Sequence, residues 1–203
     1  MAAERLADLL ARPVLEVAPR LLGATLTLNG VSVRLTEVEA YDGANDPGSH
    51  AYRGRTARNA VMFGPAGHLY VYFAYGMHFC CNVACGPEGT ASAVLLRAGR
   101  VIDGTDAAQA RRRRDPGRRV PDRDLARGPA RLCQALGIDR SCDGLDLAKR
   151  LVPSPVPLET SAISSGPRVG LRAAADRPWR FWQTGEPTVS RYVAAKPRRR
   201  ATG

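Results

Sequence analysis

Lysine is nearly absent from this chain of 203 residues: of 30 Lys and Arg residues, only Lys149 and Lys196 are lysines. Chemistry that runs through a lysine Schiff base therefore has almost no candidates. The five cysteines, Cys80, Cys81, Cys85, Cys133 and Cys142, form no CxxC pair. Their odd number argues against a disulfide framework and for reduced, mostly buried thiols of a cytoplasm. His50, His68 and His78 are the only histidines, and their spacing to the cysteines suits no zinc site. Long apolar runs are missing too. The opening "MAAERLADLLARP" carries acidic residues early and reads as a short amphipathic helix ended by Pro13, which matches neither a signal peptide nor a membrane span. A cytoplasmic protein is expected.

What the chain does have is positive charge, placed unevenly. The formal net charge is +11; residues 1–90 hold 7 Arg/Lys against 8 Asp/Glu, and residues 91–203 hold 23 against 11. A basic second half favours a polyanionic partner, because arginines that neutralise phosphates release counterions. Arg-rich usage inherited from GC-rich DNA stands beside this as the plainer reading. A hydrophobic fraction of 44% is enough for a real core, and the length suits one domain.

The periodicity predicts a second short helix near Val14–Leu22, then strands on both sides of Asn29-Gly30, a type I′ hairpin signal. Residues 42–67 read as a long ordered loop, of the kind that usually carries function. "HLYVYFAYGMHFCCNV" reads as two aromatic-rich strands whose turn has no polar residue, and "SAVLLRAGRVI" as a strand buried on both faces. A helix from near Asp103 runs into "RRRRDPGRR", read as a solvated, flexible basic connection over 111–124. "DLARGPARLCQALGID" reads as a helix interrupted at Gly128-Pro129, and "RLVPSPVPLE", "GPRVGLR", "PWRFWQTG" and "TVSRYV" as short edge strands and turns. The tail 194–203 is expected to be flexible. An α+β fold follows, with one curved, mostly antiparallel sheet, surrounding helices and a protruding hairpin.

Strict alternation in "VSVRLTEVEAY" places Val31, Val33, Leu35, Glu37, Glu39 and Tyr41 on one face. Acids at the mouth of a core are expected to have raised pKa values, through desolvation and mutual repulsion. Bonding to arginine or backbone N–H groups in a purely structural role is the alternative for each of them.

"TEVEAYDGANDPGSHAYRGRTARNAVMF", "GHLYVYFAYGMHFCCNV", "SAVLLRA" and "LARGPARLCQALGI" resemble, collinearly from about Leu21 to Val193, the alkyladenine (3-methyladenine) DNA glycosylase family. The resemblance implies a monofunctional base-excision repair enzyme that flips damaged purines out of double-stranded DNA and hydrolyses the N-glycosidic bond. By it, Glu39 is the general base and Arg97 helps to position the attacking water, with the Leu171 carbonyl as a further water ligand. Tyr41, His50 and Tyr72 contact the flipped base, and Asn82 excludes the 2-amino group of guanine. Tyr75, with Met77 beside it at the hairpin tip, fills the vacated stack; Arg58 and Asn59 hold phosphates. The implied enzyme is a monomer without cofactor. In this resemblance His78 stands where some members have a larger aromatic.

Two other readings use the same residues: a metal-dependent nuclease built on Glu37, Glu39, Asp42, Asp46 and His50, and a non-enzymatic nucleic-acid binder that stacks bases on Tyr70, Tyr72 and Tyr75. A duplex with one hypoxanthine or ethenoadenine, incubated with the protein and EDTA and then treated with alkali, separates them. The glycosylase reading expects strand cleavage only after alkali. Cleavage before alkali that EDTA abolishes selects the nuclease, and a bandshift without cleavage selects the binder.

Overall fold

The computed structural model describes residues 5–74, 76–113, 115 and 117–195. Two short helices open it, α1 (Leu6–Leu10) and α2 (Val14–Arg20), with Pro13 as the N-cap of the second. They bury Leu9, Leu10, Val14, Val17 and Ala18. β1 (Thr25–Leu28) and β2 (Val31–Tyr41) follow, joined by Asn29 (φ 50°) and Gly30 (φ 75°), which supply the two positive φ values of a type I′ turn. Three strands then meander: β3 (Leu69–Ala74), β4 (His78–Ala84) and β5 (Ala93–Asp103). Beyond them come α3 (Thr105–Arg112), β6 (Ala126–Arg127), α4 (Pro129–Leu136), β7 (Leu151–Val152), β8 (Ile163–Gly166) and β9 (Arg180–Gln183).

Among the described residues, all nine strands join one sheet, in the order β3-β4-β5-β2-β1-β7 with β6 on β5, β9 on β2 and β8 on β9. Every pairing among them is antiparallel, and α2 and α4 cover the sheet. The fold is α+β, as expected. The sheet is uncurled where a curved one was expected. β2 carries β1 on its first half and β9 on its second, so the sheet forks there instead of rolling towards closure. None of the described helices is long and apolar enough to cross a membrane.

The strict alternation expected of β2 fails at one residue. Leu35 pairs with Gly99 and Glu37 with Ala98, which leaves Thr36 as a β-bulge; Val38 then pairs with Leu96, which leaves Arg97 as the extra residue on β5. Beyond Thr36 the faces exchange. Val38 and Ala40 join Val31, Val33 and Leu35 in the main core, while Glu37 and Glu39 turn away from it, into a polar layer. Carboxylates left in the apolar layer would be desolvated without partners, at a cost of several kcal/mol each. Thr36 itself is buried, its hydroxyl 2.8 Å from that of Thr188.

Other expectations are corrected locally. Gly128-Pro129 does not interrupt a helix but begins one: Gly128 has φ 108°, and Pro129 at the first helical position needs no backbone donor. The basic stretch 111–124 is not simply a solvated connection. Arg111, in the last turn of α3, donates to the carbonyls of Ala135 (2.8 Å) and Asn29 (2.6 Å), Arg112 donates to Leu125 O (2.9 Å), and Asp122–Asp124 form a 3-10 turn. "TVSRYV" holds no strand, whereas "ISSG" does. Residues 194 and 195 of the tail are described without regular structure, and 196–203 lie outside the described residues.

The long loop 42–67 is ordered by buried polar groups. Asp46 and Arg168, both fully buried, form a bidentate pair whose longer arm is 2.8 Å, and Arg168 also donates to Ala40 O at 2.8 Å. Burial raises the Asp46 pKa, but the Arg168 hydrogen bond and charge outweigh it and hold the carboxyl below its ordinary value. A depressed carboxyl pKa contributes stability that is present above the unfolded value of about 3.9 and lost as the pH falls below it. Asp46→Asn is expected to cost about 3–5 kcal/mol at pH 7 in urea unfolding, since it leaves a buried guanidinium unpaired. The gap to the parent protein is expected to narrow as the pH drops below about 4; an equal midpoint at pH 7 would show that the loop is anchored elsewhere.

Candidate active site

Strands β2 to β5, the long loop and the segment after β8 enclose a cavity of about 620 Å³. Its lining includes Glu39, Tyr41, His50, Arg58, Tyr72, Asn82, Arg97 and Leu171. Glu39 and Arg97, expected to be catalytic, and Tyr41, His50, Tyr72, Asn82 and Leu171, expected at the base and the water, are thus brought together from six places in the chain.

Glu39 is fully buried on β2 and engaged on both oxygens. Its Oε1 accepts the Val169 N–H at 2.7 Å and lies 3.2 Å from Arg97 Nη1; its Oε2 accepts the Tyr41 hydroxyl at 2.9 Å. A carboxylate has about four lone-pair directions, so these three partners fix its orientation and leave room for one water. Burial and the Glu39 charge push the Tyr41 pKa well up, which keeps Tyr41 a neutral donor.

Behind Glu39 the polar layer continues. Arg97 donates from Nε to Glu37 Oε1 at 2.8 Å and from Nη2 to Ser190 Oγ at 3.2 Å. Glu37 also accepts Arg180 Nε (2.6 Å), the Ser190 hydroxyl (2.9 Å) and the Ser190 N–H (2.7 Å). The raised pKa expected for Glu37 is not found: burial raises it, but Arg97 and Arg180 together hold it below its ordinary value. Burial alone would lower the Arg97 pKa, and Glu39 and Glu37 raise it instead.

The walls of the cavity are aromatic. His50 meets Tyr72 edge to face at 4.6 Å, and Tyr70 stacks beside Tyr72 at 5.6 Å. The Arg58 guanidinium lies 5.7 Å over the Tyr72 ring. Burial, and then Arg58, lower the His50 pKa, so the ring is neutral near pH 7. Its Nδ1 is 3.1 Å from the Tyr70 hydroxyl. Asn82, buried on β4 and part of the cavity lining, donates to the carbonyl of its cross-strand partner Tyr70 at 3.4 Å. Arg168 backs the Tyr41 ring at 4.6 Å.

Asn59 is corrected. Its Nδ2 donates to the carbonyls of His50 (3.0 Å) and Gly54 (3.1 Å), and its Oδ1 accepts Thr56 N–H at 2.7 Å. Buried and saturated in this way, it pins the loop that carries His50 and is closed to phosphate. Arg58 is exposed at the cavity. Met77, 69% exposed, and Phe73, 50% exposed, flank the tip of the β3–β4 hairpin, whose arms line the cavity; Tyr75 lies outside the described residues.

Sequence reasoning missed Arg168, Val169, Arg180 and Ser190. Their stretches read only as edge strands and turns, and nothing local marks Val169 N–H as a donor to a residue 130 positions away. The nuclease reading loses its ligands: Glu37 and Asp46 are taken by buried arginines, and among the described residues no group of three His, Cys, Asp or Glu is placed to hold a metal ion.

A sequence model described as methylpurine-DNA glycosylase matches residues 8–187. The chain is 53% identical over 205 residues to a protein of Streptomyces avermitilis, covering 96% of this chain and 94% of that one. It is 55% identical to a protein of Nocardia farcinica (86% and 85% covered) and 50% identical to one of Mycobacterium tuberculosis (92% and 93%). Each of the three carries the name "Putative 3-methyladenine DNA glycosylase". With Glu39, Arg97 and an aromatic-walled cavity where the residue pattern asks for them, the chain belongs to the methylpurine-DNA glycosylase family.

Proposed function

We propose that this protein is a monofunctional DNA glycosylase of base excision repair that removes 3-methyladenine, and with it hypoxanthine and ethenoadenine, from double-stranded DNA after flipping the nucleotide. The observation that carries the reading is Glu39, fixed by three partners at the wall of a 620 Å³ cavity beside an exposed apolar hairpin. The damaged purine enters between Tyr41, His50 and Tyr72, whose ring faces favour an electron-poor alkylated base. Asn82 blocks guanine through its 2-amino group.

Water, held by Glu39, Arg97 and the Leu171 carbonyl, attacks C1′ as the glycosidic bond breaks. Its proton passes to Glu39, and the bonding electrons return to the base, quenching the positive charge of 3-methyladenine; hypoxanthine and ethenoadenine, being neutral, take up a proton before the bond breaks and leave as neutral bases. The oxocarbenium-like sugar is stabilised by the same carboxylate. With no lysine among the described residues that line the cavity, the reading gives as product an intact strand with an abasic site.

Tyr75, with Met77, enters the minor groove and offsets part of the few kcal/mol lost in unstacking. Arg58 holds a flanking phosphate, and Arg118, Arg119 and Arg131, which line a groove with His78 of β4, give the strand a basic track. The enzyme acts as a monomer in the bacterial cytoplasm, at the nucleoid. A stacking platform fits less well, because Tyr70 is buried and Tyr72 faces into the cavity and not along an open surface.

Glu39→Gln is expected to bind lesion duplex within about threefold of the parent and to lose ~10²–10⁴ in single-turnover rate; a retained rate removes Glu39 from the chemistry. Tyr75→Ser is expected to weaken capture of the flipped nucleotide by about tenfold, read as affinity for an abasic-site duplex. Equal affinity and equal rate would reject the wedge.

A further inference from the structure

Glu37 is the most heavily bonded side chain of the site, yet it does not line the cavity. It stands behind Arg97, and its partner Arg180, 4% exposed, reaches no substrate either. The two opposed bulges explain the placement. Thr36 turns Glu37 and Glu39 to one face, two residues apart, and the extra residue on β5, Arg97, inserts its guanidinium between them.

The charges of this buried cluster are Glu37 and Glu39 against Arg97 and Arg180, so they cancel. That balance bears on the reaction. A cationic purine and an oxocarbenium-like sugar both bring positive charge to Glu39, and a buried guanidinium about 3 Å from Glu39 would oppose it if left uncompensated. Two uncompensated guanidinia would oppose it more strongly.

We infer that Glu37 is a positioning residue that cancels one of the two charges of Arg97 and Arg180, Glu39 matching the other, and aims Arg97 at Glu39, so that Glu39 meets a cationic reacting centre in a cluster of no net charge. The inference rests on the glycosylase reading. It assigns Glu37 a role in selecting charge, not in touching substrate.

The test compares two duplexes that differ in one charge at the flipped position: one carries a protonated pyrrolidine abasic nucleotide, the other a neutral tetrahydrofuran. The parent protein is expected to prefer the pyrrolidine. Glu37→Gln is expected to lose about tenfold of that preference, with tetrahydrofuran affinity unchanged. Glu37→Asp, which keeps the charge, and Glu37→Gln/Arg180→Gln, which restores neutrality, are both expected to recover it. Circular dichroism monitors folding, and the two recovering variants carry the test if Glu37→Gln does not fold. An equal loss on both duplexes for Glu37→Gln, or failure of a folded neutral double variant to regain the preference, overturns the inference while parent base release stays intact. Absence of base release by the parent protein overturns the glycosylase reading itself.

Discussion

The structure depends on the need of buried carboxylates for arginine. Glu37, Glu39 and Asp46 are fully buried, and each lies within hydrogen-bond or ion-pair reach of a guanidinium that is itself almost fully buried. Breaking one such pair is costly because it leaves the other charge unsolvated. The pairs therefore hold together parts of the chain far apart in sequence: β2 to β5, β2 to β9, and the long loop to the segment that follows β8. The carboxylate of Glu39 is placed by the same interactions that hold its surroundings. Val169 N–H reaches Glu39 next to Arg168, which is itself anchored on Asp46 and Ala40.

Much of this was legible in the residues. Asn29-Gly30 announced its turn, the two aromatic strands their hairpin, and Glu39, Arg97, Tyr41, His50, Tyr72, Asn82 and Leu171 their common cavity. The strands were readable because period-two patterning and turn chemistry are local. The site was readable through a resemblance whose motifs cover the strand, loop and hairpin that build it.

What stayed hidden is non-local. Alternation extrapolated through Thr36 put the acids on the core face, because a single inserted residue leaves no mark in composition. Asn59 read as a phosphate ligand, but its three hydrogen bonds to the loop are set by how that loop folds back on itself. Arg168 and Arg180 sat in stretches that looked like edge structure, and only tertiary contact shows them to be buried.

The arginines of the second half are not all available to an anion. Arg111 and Arg112 act as mortar between α3, α4 and the first hairpin, while Arg127 and Arg140 cap the carbonyls of Val189 and Val71. With Arg97, Arg168 and Arg180 sealed inside, seven of the 30 cationic side chains hold parts of the fold together. The ionic-strength dependence of nucleic-acid association should accordingly follow the number of outward-facing guanidinia that meet phosphates and not the arginine count, since only those exchange small ions for phosphates.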